Sequence, residues 1–123
     1  MNSDTELFVQ GFWVKCREVI RPELDRMIDD LKSAGHVAHV SPQDYTPVAD
    51  GLPDSGPMLI LTVHPKAQSD VRTLKFHADL AKGDVEIIGS GGTVLRHELA
   101  DITDPVVKRV TADWLAIALN HHP

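Results

Sequence analysis

Six residues in this chain could together perform acid–base chemistry: His64, His77, Asp79, Glu86, Arg96 and Glu98. An imidazole beside a carboxylate is the minimum for general acid–base catalysis. In such a site His77 is the base, Glu86 or Asp79 orients it, and Arg96 holds a substrate's anionic group. The cluster depends on strand register. Side chains alternate along a strand, so these residues share one face in one register and scatter after a one-residue slip. The competing reading is a solvated sheet face with charges paired across strands.

Other candidate chemistry is weaker. Seven histidines raise the question of metal, because zinc is commonly bound by imidazole. His36 and His39 are three apart, which puts them on opposite faces of a strand. His121 and His122 are adjacent at the chain terminus, His97-Glu98 lacks a second histidine, and there is no HExxH or CxxC. We therefore expect no metal site and no cofactor. Cys16 falls on the apolar side of a helical pattern and reads as a small buried hydrophobe rather than a nucleophile. Gly89-Ser90-Gly91-Gly92 leads into a strand and has no Lys-Ser/Thr pair, so it reads as a hairpin turn and not a phosphate loop. The acids of Asp50 to Ser55 lack the spacing of a calcium loop.

The strongest non-catalytic feature is aromatic. Phe12 and Trp13 are helical neighbours about 100° apart, so one thin core does not easily bury both. Aromatics often anchor protein interfaces. Phe8, Phe12, Trp13 and Tyr45, the last in a loop rich in Pro, Asp and Gly, are the expected partner-binding residues.

These residues need a frame to position them. The apolar residues Phe8, Phe12, Cys16, Val19, Ile20, Leu24, Met27, Ile28 and Leu31 recur at three- and four-residue steps, which predicts a helix from about Asp4 to Ser33. Its apolar arc drifts by about a quarter-turn near Pro22, which predicts a kink or two abutting helices. Gly35 ends it. Strands follow at His36–Ser41, Met58–Val63, Arg72–Leu80, Val85–Ile88 and Thr93–Leu99, separated by turn signals and by the loop Pro42–Pro57. Pro105 then opens a final helix with Val106, Val107, Val110, Trp114, Ile117 and Ala118 on its buried stripe. The expected fold is α+β in a single domain spanning residues 1–123. A long, kinked N-terminal helix, a four- to five-stranded antiparallel β-meander and a C-terminal helix put both helices on one sheet face. The other face then carries Met58, Ile60, Ile88 and Val94 beside Lys75, His77, Glu86, Arg96 and Glu98.

With 123 residues, 42% hydrophobic and 24% charged, the chain is large enough for one core. A net charge of −6 without a basic cluster argues against nucleic-acid binding. The acidic excess is too diluted by bases for a mimic of DNA. No apolar run reaches the ~20 residues of a membrane helix. The start has no leader pattern and the single cysteine suits a reducing compartment, so we expect a cytoplasmic protein without membrane contact.

The helix–meander–helix order loosely resembles that of secretion-chaperone-like, cystatin-like and ubiquitin-conjugase-like domains. The likeness is one of topology, and it implies no activity. A conjugase would also want its cysteine after the meander, whereas Cys16 precedes it. The function expected first is a non-catalytic protein-binding or regulatory module, homodimeric. The alternative is a small enzyme or small-ligand binder using His77, Glu86 and Arg96. A third is an inhibitor or immunity-type protein with an acidic interface.

Overall fold

The computed structural model describes residues 3–44, 56–66 and 70–119. The expected α+β architecture is observed. Helix α1 (Ser3–Lys15) runs through a π-helical turn (Cys16–Ile20) into α2 (Arg21–Ser33). Strands β1 (Val37–Gln43), β2 (Met58–His64), β3 (Arg72–Asp79), β4 (Asp84–Gly89) and β5 (Thr93–His97) follow. They pair in sequence order as an antiparallel meander. Helix α3 (Asp104–Leu119) closes the fold.

The break in the long helix falls one turn before Pro22. The Arg21 N–H donates to the Cys16 carbonyl, five residues back instead of four. Pro22 has no N–H to continue the α-helical ladder, and the wider turn places it in the first turn of α2, where none is needed. The wider turn also explains the drift of the apolar arc. Phe12, Cys16, Ile20, Leu24, Met27 and Leu31 are buried at steps of 4, 4, 4, 3 and 4 residues. A regular α-helix would carry so long a repeat off one face, and a π turn absorbs the excess.

Gly35 ends α2 as expected. It holds φ +95°, its N–H donates to the Lys32 carbonyl, and the His36 N–H donates to the Leu31 carbonyl. Both helical segments pack on one side of the sheet. There Ala38, Leu59, Leu61, Val63, Leu74, Phe76, Ala78, Val85 and Ile87 meet the buried residues of α1, α2 and α3. On α3 the buried residues are Val107, Val110, Thr111, Trp114 and Ala118. Ile117, expected in that stripe, is instead exposed. Gly89 lets α3 approach closely, since a Cβ there would sit 2.6 Å from Trp114 Cδ1.

Candidate functional site

Register decides which side chains share the outer face, the one turned away from the helices. Gln43, Met58, His77, Glu86 and Arg96 are cross-strand partners and form one row. Ser41, Ile60, Lys75, Ile88 and Val94 form the next. Asp79 opposes Asp84 on the far side of the first row. The parity expected from sequence therefore holds for His64, His77, Asp79, Glu86 and Arg96. Glu98 lies one residue beyond β5, is exposed, and makes no ion pair among the described residues.

Arg96 is the hub of the first row. Its Nη1 donates to Asp84 Oδ1 at 2.8 Å and to Asp79 Oδ2 at 3.1 Å. Its Nη2 donates to Glu86 Oε2 at 3.1 Å. The other Glu86 oxygen lies 3.3 Å from His77 Nδ1. Asp79 Oδ1 also accepts the N–H groups of Ala81 and Lys82, which fastens the β3–β4 turn. Asp84 is not among the six residues singled out from the sequence. Its alternation with Glu86 was the available signal that it shares the face.

The electrostatics limit what this cluster can do. Partial burial by itself raises the Asp79 carboxyl. The Lys82 N–H, the Arg96 guanidinium and the Ala81 N–H outweigh it and hold the group below the ordinary carboxylate value. The guanidinium is pushed up against its own desolvation by bonding to Asp79 and by the charges of Asp84, Glu86 and Asp79. Both groups are therefore fixed ions, unsuited to proton transfer near neutral pH. Three carboxylates surround one guanidinium, so the locality is net negative. This removes the expected anion-anchoring role of Arg96, because an incoming anion would have to displace a carboxylate already in contact. The His77–Glu86 pair is what remains of the acid–base constellation, and His77 is buried at 8% exposure.

The aromatic expectations divide. Phe12 is fully buried in the core, so it supports the fold and is not presented to a partner. Trp13 is half-buried and packs edge-on against Phe12, with ring centroids 5.4 Å apart. Phe8 is half-buried against the same core. Tyr45 lies outside the described residues. Cys16 is buried, and burial pushes its thiol up to about 12, as befits a packing residue.

His64 is on the outer face but far from Arg96 along the strands. It stacks with His39 of β1, centroids 5.9 Å apart and planes 27° apart. Sequence reading did not foresee that contact. Among the described residues no group of three or more His, Cys, Asp or Glu is placed to hold a metal ion. Four grooves of about 490, 250, 300 and 280 Å³ are lined by the helices, core-face residues and the β3–β4 turn. None of these four takes a residue from the outer face. No helix among the described residues is long and apolar enough to cross a membrane.

No family model, curated protein or solved structure matches this chain.

Proposed function

We propose that the protein is a non-catalytic binding module that acts on another protein and works as a homodimer, with the outer sheet face as its contact surface. One observation carries this reading. Ile60, Ile88 and Val94 lie in one cross-strand row, with Lys75 between Ile60 and Ile88, on the face turned away from the helices, and Val94 is 53% exposed. The adjacent row is charged, yet its charges are already neutralised in part by one another. Such a row costs less to desolvate than unpaired ions, because its hydrogen bonds survive contact. An apolar strip rimmed by satisfied polar groups is the usual anatomy of a protein contact.

Two such faces stack as sheets do, about 10 Å apart, around a two-fold axis. Lys75, between Ile60 and Ile88, then has a carboxylate cluster on the facing copy as a natural partner.

Sedimentation equilibrium of the full chain tests the proposal. The expected result is a dimer in the wild type and a monomer for Ile88→Asp, with unchanged far-UV circular dichroism. A monomeric wild type at about 100 µM, or an Ile88→Asp dimer of unchanged affinity, overturns it; the concentration is set at the weak end of specific association. The enzyme or ligand-binder reading rests on the His77–Glu86 contact alone. A ligand whose binding is lost in His77→Ala would favour it.

A further inference from the structure

From the outer face near the β1 edge we infer a second site: His39 and His64 form a two-histidine chelate for a late first-row divalent cation such as zinc. It does not rest on the dimer reading, since both ligands come from one chain.

The register creates the pair. Val37 opposes His64 and Thr62 opposes His39, so the two histidines are diagonal neighbours on one face. Diagonal pairs lie within reach of long side chains. Here the rings are stacked at 5.9 Å, and both residues are exposed. Among the described residues no hydrogen bond or ion pair engages either imidazole. That distinguishes them from His36, whose Nδ1 accepts the Lys66 N–H at 2.8 Å, and from His77, which faces Glu86. Each ring of the pair keeps its lone pair for a metal.

The geometry fits with a small adjustment. With Zn–N of about 2.0–2.1 Å and tetrahedral angles, two imidazole centroids on one zinc lie roughly 5 Å apart. Closing from 5.9 Å needs a small rotation of two exposed side chains about χ1, with χ2 then aiming the ring nitrogens, while the β1–β2 ladder holds their backbones. The ladder is what makes the pair a chelate, because the second ring is already near when the first binds. Imidazole is a favoured donor for zinc and copper, and less so for magnesium or calcium. The chain supplies two ligands; water or a donor from another molecule fills the remaining positions.

Isothermal titration of the full chain with zinc chloride, in a buffer that does not bind metal, tests this. One zinc per chain is expected. His39→Ala and His64→Ala should each weaken binding at least about tenfold, because the gain from the tethered second ligand is lost. A variant with His121 and His122 both changed to alanine should bind as the wild type does. In proton NMR the ring signals of His39 and His64 should move together and saturate at one equivalent. No zinc binding, or binding that survives either single substitution at full strength, overturns the inference. Both positions are exposed, and circular dichroism of the variants checks that the fold is kept.

Discussion

Replacing Phe12 with alanine separates a core role from a contact role. The ring is fully buried in the core between the helices and the sheet. Truncating a buried phenylalanine costs about 3–5 kcal/mol, from lost transfer energy and the cavity left behind. Domains of this kind are stable by only about 5–15 kcal/mol in total, so the loss is a large share. With a urea slope of about 1.5 kcal/mol/M, the unfolding midpoint should fall by roughly 2–3 M. Trp13 offers the contrast. It is half-buried and meets Phe12 edge-on, so Trp13→Ala forfeits part of its burial and an aromatic contact, about 1–2 kcal/mol, or a fall of roughly 1 M. Fluorescence of Trp114, which is buried and present in both variants, reports both titrations. A Phe12→Ala midpoint within about 0.5 M of wild type, together with lost self-association, would assign Phe12 to a contact and not the core.

Two further outcomes follow from the site chemistry. Cys16, with its thiol pushed up to about 12, should react with iodoacetamide at pH 8 about a thousandfold more slowly in the native protein than after unfolding; fast native labelling would contradict its burial. Asp79 is held below the ordinary value of 3.8, so its ion pairing stabilises the fold fully above that value and is lost as pH falls through the lower folded value. The wild type should therefore be more stable than Asp79→Asn at pH 7, and the difference should shrink as pH falls below 3.8; a difference constant with pH would show that the carboxylate charge is not what stabilises the turn.

Much of this arrangement was readable because local rules and the global fold agree. Gly35, the period-2 alternation of Arg72–Leu80 and the glycine turn at 89–92 each demand the structure they adopt. The π turn was legible only as a drift of the apolar arc, since a widened turn has no residue signature apart from the nearby Pro22. Phe12 and Trp13 are adjacent aromatics, and periodicity favours Phe12 for the core without excluding a contact role for it. The line through Phe12, Cys16 and Ile20 decides it, and that line exists only because the π turn holds the repeat on one face.

The chain by itself determined the element order, the strand alternation and the set of residues able to share the outer face, because these depend on backbone preference and on periodicity within short segments. Tertiary structure alone decided how those residues are used. Arg96 meets Asp79, Asp84 and Glu86, and so becomes a structural ion instead of an anion anchor. His39 and His64, 25 positions apart in the chain, come into contact through a register of backbone hydrogen bonds. Pairings of that kind depend on which strand lies beside which and by how much it is shifted, a property of the assembled sheet that no single segment carries.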